Sequence, residues 1–213
     1  MSTKPAKPTE SPRRRLSPES RRAELVDVGL RLFGDRPYDQ VRMEDVANEA
    51  GVSRALMYRY FPDKLSLFAA VVDTISDRMI ARTAAAIDPA ASPFERARAG
   101  VLGYLDAYAK YPHTADAIIR RAVSDPRLRD RDQHDRDRLT DIVVAQIRGL
   151  DDPRLSPDAD ALLPTIVAAW LAFTEECVHS WVHDPSTDRF AIADLCAYAL
   201  TDAVARLAAT LGR

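Results

Sequence analysis

The sequence predicts an all-α fold of about nine helices, and three observations carry that expectation. Apolar residues recur at steps of three and four, as in Leu25, Val28, Leu32 and Phe33, in Val101, Leu102, Leu105 and Tyr108, and in Leu139, Ile142, Val143, Ile147 and Leu150. Proline follows a serine or aspartate at Ser17-Pro18, Ser92-Pro93, Asp125-Pro126 and Ser156-Pro157. That pairing suits a helix start: the side-chain oxygen can accept from first-turn amides, and the amide that proline lacks would be unpaired there anyway. No run shows the two-residue alternation of a half-buried strand.

Taken in order, residues 1–17 read as a disordered basic arm, because Pro5, Pro8 and Pro12 fall among few apolar side chains. Helices are then expected over 18–33, 43–50, 53–60, 63–87, 93–110, 113–123, 126–148, 158–182 and 187–211. Ser17 caps the first. Ser92 with Glu95 forms a capping box for the fifth. Gly34 and Gly149 are expected to close helices in the left-handed conformation. Pro164 lies inside the eighth span, so that helix either starts near Asp160 or kinks. The last helix continues the spacing at Leu195, Ala199, Val204 and Leu207.

Composition excludes several classes. In 213 residues there are only 7 glycines, so collagen-like and low-complexity chains are out. The longest charge-free apolar stretch, Ala161 to Thr174, is too short to span a bilayer. The first thirty residues hold no signal-peptide core, so a cytoplasmic chain without a membrane partner is expected. Cys177 and Cys196 make neither a disulfide framework nor zinc spacing, and each sits in an apolar helical pattern that suits a buried thiol. The net charge of −2 hides an asymmetry: residues 1–64 carry 13 Lys and Arg against 10 Asp and Glu, residues 65–213 carry 17 against 22. A basic front on an acidic body suits an anionic partner, or else a solvated tail.

Residues 43–60 are the informative stretch. Two short helices meet at a three-residue turn, with Gly51 where the first helix stops. Ala47 is small where the helices would cross. Val46, Ala50, Val52 and Met57 would pin them together, and Ser53 can cap the second. That register fits a helix-turn-helix or, equally in form, an ordinary helical hairpin. The outward residues favour the first: Arg54, Ala55, Tyr58 and Arg59, with Leu56 near the edge, and no acid until Asp63. An arginine near the start of a recognition helix can bind guanine O6 and N7 together, while Tyr58, Tyr60 and Lys64 can donate to phosphates.

The run from Ala23 to Val72 resembles the TetR family of bacterial transcriptional repressors, through Ala50-Gly51-Val52-Ser53, Tyr58-Arg59-Tyr60-Phe61 and Lys64, together with Leu32, Phe33, Tyr38, Val46, Ala47, Leu67 and Phe68. The resemblance implies a helix-turn-helix DNA-binding head over 18–79 and a ligand-binding and dimerisation body over 80–213. It implies a homodimeric repressor, released from a palindromic double-stranded DNA operator by a small apolar or aromatic effector. By the same resemblance Tyr58, Tyr60 and Lys64 touch phosphates, and Ser53, Arg54, Ala55 and Leu56 face bases. Two departures stand out. Val41-Arg42-Met43 replaces the usual hydroxyl at the start of the second helix, leaving Arg42 to take the phosphate. Leu56 replaces a small or hydroxylated residue, which favours contact with a thymine methyl.

In the body, Tyr104, Tyr108, Trp170 and Phe173, with His113 and Arg120 as polar anchors, either line an effector pocket or fill the core. Tyr111, Trp181 and Glu175 belong to the same set. His179 and His183 stand four apart with Glu176 a turn before, but a helix end with surface histidines explains them and no metal is expected. No cofactor is expected either. No phosphate-binding glycine loop, Gly-x-Ser-x-Gly or His-Glu-x-x-His occurs, so an enzyme reading has no motif behind it. Alanines on the last helix, from Ala191 to Ala209, would let it approach a partner closely.

Overall fold

The computed structural model describes residues 17–86, 88, 90–111, 113, 114, 117, 125–150, 152, 153, 155–184 and 186–211. Among them are eight α-helices and no strand: α1 (Pro18–Asp35), α2 (Met43–Glu49), α3 (Arg54–Tyr60), α4 (Lys64–Ala86), α5 (Pro93–Lys110), α6 (Pro126–Arg148), α7 (Pro157–His183) and α8 (Arg189–Leu211). Residues 1–16 of the arm, most of the expected 113–123 helix and Arg120 lie outside the described residues.

The serine and aspartate caps work as expected. Ser17 Oγ accepts from Ser20 N–H at 3.1 Å and Asp125 Oδ1 from Arg127 N–H at 2.9 Å. Ser92 and Glu95 form both halves of their capping box. Ser156 Oγ accepts from Ala159 N–H and donates to Leu211 C=O at 2.8 Å, which ties the end of α8 to the start of α7.

Two glycine expectations need correction. Gly34 lies inside α1 instead of closing it, and Gly149 closes α6 at φ −67°, in the right-handed region. Among the described glycines only Gly51 has a positive φ, 62°. A Cβ at Gly34 would meet the Tyr111 ring at 3.5 Å, an ordinary contact, so packing does not demand glycine there. Gly29 on α1 is tighter. Its added Cβ would stand 3.0 Å from Val71 Cγ2 and 3.3 Å from Leu67 Cδ1, so glycine sets how closely α1 and α4 approach. Pro164 is inside α7, which begins at Pro157, so the Asp160 carbonyl loses its usual amide donor there. A one-turn 3-10 helix at Tyr38–Gln40 was not foreseen.

The apolar residues gather into two cores. The first joins α1, α2, α3 and the front of α4, with Leu25, Phe33, Val46, Met57, Phe61, Leu67 and Phe68 almost fully buried. Phe33 stacks on Tyr38, and Phe68 meets both rings edge-on. The second joins α5 to α8 around Val101, Leu105, Leu163, Val167, Val178 and Cys196. α4 runs between them: Val72 belongs to the first core, while Thr83 packs against Gly100 and Gly103 of α5. α6 also reaches both, with Leu128 in the first core and Val144 in the second.

Candidate nucleic-acid interface and ligand cavity

α2 and α3 are held at a fixed angle by a Schellman turn. Val52 N–H donates to Ala47 C=O at 2.9 Å and Gly51 N–H to Asn48 C=O at 3.1 Å. The left-handed Gly51 makes that pair possible, since a side chain at φ 62° would be strained. Val46, Ala47 and Met57 are buried, with Ala50 and Val52 packed against them. Ser53 Oγ then accepts from Leu56 N–H at 3.2 Å and starts α3. The reading of 43–60 as two short helices around a glycine turn therefore holds in geometry.

The side chains projecting from α3 divide into two groups. Ser53, Arg54, Ala55, Tyr58 and Arg59 are exposed, while Leu56 and Tyr60 are half-buried, Tyr60 against the first core. Arg54, its side chain 70 % exposed, reaches Glu44 Oε1 at 3.1 Å and lies over the Tyr58 ring at 5.4 Å. An exposed ion pair of this kind contributes about 0–1 kcal/mol, so it holds Arg54 outward without locking it there. Arg42 is exposed at the N-cap of α2 and its N–H donates to Asp45 Oδ2 at 3.1 Å. An arginine side chain has no acceptor, so only half a capping box is formed.

Lys64 has a job that the sequence did not reveal. Its ammonium donates to Tyr38 C=O at 2.9 Å and Val41 C=O at 3.0 Å, and lies 4.3 Å from the Tyr38 ring centre. It thereby fastens the 3-10 turn before α2 to the start of α4. A phosphate contact would have to be made alongside those two bonds. Asp63 caps α4 by accepting from Ser66 N–H and Oγ, and those bonds, with Arg127 beside it, hold its carboxyl below the usual range. Arg127 at the start of α6 stands 3.5 Å from Asp63, so α6 touches the start of α4.

The other feature is a cavity of about 320 Å³ among α4, α5, α6, α7 and α8. Of the expected ligand residues, Tyr104 and Trp170 line it. Tyr104 also lines a smaller neighbouring cavity of about 80 Å³, together with Tyr108 and Tyr111. Phe173 and His113 line neither: Phe173 is 41 % exposed on the outer face of α7. The aliphatic wall that dominates the larger cavity was missed, because leucines and valines at helical spacing signal core wherever they point.

A polar group lies between the two cavities. Glu175 lines both, contacts Arg136 at 2.5 Å, and Arg136 also binds Asp132 at 3.1 Å. Burial pushes the Glu175 carboxyl up to about 7, against the pull of Arg136. Tyr104 O–H donates to Tyr108 at 3.1 Å, and burial raises both phenols, Tyr108 to about 12. Cys196 is buried and pushed up to about 12 by desolvation, with Cys177 beside it, so neither the buried site nor its charge favours a reactive thiolate. The His179 and His183 rings are 4.3 Å apart, and among the described residues no group of three or more His, Cys, Asp or Glu could hold a metal ion.

A glycine-turned helix pair presenting a basic, exposed second helix defines a helix-turn-helix head. Residues 25–71 match the model for bacterial regulatory proteins, tetR family. The chain is similar to the transcriptional activator FasR of Mycolicibacterium smegmatis, 32 % identical over 43 % of this chain and 42 % of that one. It is also similar to the transcriptional repressor KstR2 of Mycobacterium tuberculosis, 26 % identical over 66 % and 72 %. A solved tetR-family regulator from Streptomyces coelicolor matches with a TM-score of 0.74 at 26 % identity, over 92 % of this chain and 84 % of that one. The chain spans less than half the length of the first curated relatives it matches. These relatives are named as regulators of transcription and none as an enzyme.

Proposed function

We propose that the protein is a homodimeric, DNA-binding transcriptional regulator that acts as a repressor and leaves a palindromic operator when a small molecule enters the body. The observation that carries this is α3: its exposed Ser53, Arg54, Ala55 and Tyr58 project from a helix braced underneath by buried Met57, Val46 and Ala47. Arg54 and its neighbours read bases, with Leu56 at the edge, while Arg42, Tyr58, Tyr60 and Lys64 meet phosphates. One relative is named an activator and another a repressor, so the sign of regulation rests on where the operator lies.

The division into a head over 18–79 and a body over 80–213 follows the two cores, which α4 and α6 connect. The larger cavity is the effector site, with Tyr104 and Trp170 on its wall and Tyr108 beside it. Thr83 lines that cavity and Leu67 packs in the head, so one helix touches both ends of the switch. Dimerisation is favoured by the outer face of α7. By length and composition that helix could also cross a membrane. Here one side of it fills the second core, and the other exposes Leu162, Ala168, Ala169, Ala172 and Phe173; α8 exposes Leu195 and Tyr198. Exposed apolar side chains on both helices suit contact with a second copy of the chain. Ala193, Ala197 and Ala208 are buried within the subunit and Ala205 lines the larger cavity, so of the alanines on α8 the exposed Ala191 and Ala209 remain for close approach.

The experiment is a binding-site selection on random duplex DNA, followed by titrations with Arg54→Ala. A palindromic site is expected, and Arg54→Ala should cost about 1–3 kcal/mol on it with relaxed preference at one base pair per half-site. Equal loss on selected and random DNA would remove the base-reading role.

A further inference from the structure

The two cysteines of the chain meet where α7 packs on α8. Cys196 is fully buried in the second core, and Cys177 is half-buried and packs against that core. Their thiols lie side by side.

One stripe of α7 fixes the pairing. The Trp170 indole N–H donates to Cys196 C=O at 2.7 Å. Thr174, a turn further along, packs beside the Cys196 thiol, and Cys177 follows on the same side of the helix. On α8 the buried neighbours of Cys196 are small, Ala193 and Ala197. Helix axes pack about 8–10 Å apart, and Cα atoms stand about 2.3 Å off each axis. Facing Cα atoms are then about 3.5–5.5 Å apart and offset ones somewhat more, while a disulfide spans about 4.4–6.8 Å.

The surroundings give the two thiols different roles. Desolvation pushes the Cys196 thiol up to about 12, so it stays protonated and does not begin a reaction. Cys177 has the accessible edge, between the buried stripe and the exposed Phe173 one turn earlier. A disulfide, unlike a thiolate, brings no charge into the core.

We propose that Cys177 and Cys196 form an oxidation site, at which a peroxide creates an intrasubunit disulfide that staples α7 to α8 and that an external thiol reverses. The ionised Cys177 sulfur attacks one oxygen of hydrogen peroxide and the O–O bond breaks. The second oxygen leaves as hydroxide and takes up the proton that Cys177 lost, forming water and a Cys177 sulfenic acid. Cys196 Sγ then attacks that sulfur, the S–O bond breaks, and the departing hydroxide leaves as water with the Cys196 proton. Two thiols and one peroxide become one disulfide and two waters, the sulfurs giving up two electrons and the peroxide accepting them. α7 and α8 both line the larger cavity and both carry exposed apolar side chains, so the staple fixes the two helices on which the proposed effector site and dimer face depend.

The test treats the full chain, reduced and then freed of reductant, with hydrogen peroxide. Intact mass, thiol titration in denaturant and non-reducing electrophoresis are the readouts. The mass is expected to fall by two hydrogen atoms, both thiols to disappear and the mobility to stay that of a single chain, with dithiothreitol restoring the starting state. The urea midpoint should rise on oxidation, by an amount equal to roughly a hundredfold shift in the unfolding equilibrium for a loop of this length. Cys177→Ser should keep the Cys196 thiol and show no rise. Reduced and oxidised wild type share one sequence, so their comparison stands even where the variant folds poorly. A link between two chains, a sulfinic or sulfonic acid at Cys177 with the Cys196 thiol intact, or two unreacted thiols overturns the pairing. An unchanged or lower midpoint in the linked protein overturns the staple.

Discussion

Lys64→Met separates two roles that a lysine at the start of α4 can have. Methionine keeps the chain length and packing but removes the ammonium. Lost with it are the bonds to Tyr38 C=O at 2.9 Å and Val41 C=O at 3.0 Å, and the contact with the Tyr38 ring at 4.3 Å. A hydrogen bond from a charged group contributes about 1.5–3 kcal/mol and an exposed cation–π contact about 0.5–1 kcal/mol. Three terms set the sum lower: both bonds come from one ammonium, water reaches the freed carbonyls, and removing a cation from a helix N-terminus returns about 0.3–1 kcal/mol. The expected net loss is about 2–3 kcal/mol. Urea denaturation at fixed protein concentration, without DNA, measures it as a lower midpoint at unchanged slope. The loosened turn before α2 should also weaken binding to every DNA sequence. An unchanged midpoint accompanied by uniformly weaker DNA binding would refute the structural role and return Lys64 to phosphate contact alone.

Two further outcomes are expected. Glu175 has a folded pKa of about 7, raised by burial from the usual carboxylate value, so the folded chain binds the extra proton between about pH 4.5 and 7. Its contribution to stability is therefore highest at low pH and falls as pH rises through that window, by at most about 3 kcal/mol. Denaturation of wild type and Glu175→Gln across pH 4.5–8 checks this: the variant's curve should lack that fall, and parallel curves would contradict the burial argument. On the outer face, Leu195→Asp places a charge at a side chain that is 53 % exposed on α8, which a monomer tolerates and an apolar dimer seam does not. Sedimentation at micromolar concentration should show a dimer for wild type and monomer for the variant, and an unchanged mass would move the interface elsewhere.

Much of the helical layout was legible because its signals are local. Pro93–Lys110 and Pro126–Arg148 run over the expected spans, since each start is set by a proline, a capping side chain and the apolar spacing that follows. Gly51 was legible for the same reason: a three-residue turn between amphipathic segments needs a left-handed residue. Gly34 and Gly149 were misread because glycine near a helix end need not be left-handed: Gly34 stays inside α1, and Gly149 caps α6 at φ −67°. On α3, the exposed positions of Arg54, Ala55 and Tyr58 follow from the 3.6-residue period. The partners of Lys64 do not, because its carbonyl acceptors are 26 and 23 residues away.

The sequence by itself determined what depends on neighbours along the chain: an all-α fold, the helix caps, the left-handed turn at Gly51, and the basic, aromatic outer face of α3. These rest on backbone sterics, orphan amides and helical periodicity, which act over one or two turns. Only the tertiary structure decided which apolar residues line a cavity and which fill a core. It took Tyr104 and Trp170 to the cavity wall and turned Phe173 outward. It also brought Glu175 against Arg136, 39 positions earlier. Those outcomes come from how α5, α6, α7 and α8 rotate about their axes as they pack, and hydrophobic burial, being non-directional, does not encode that rotation in any single helix.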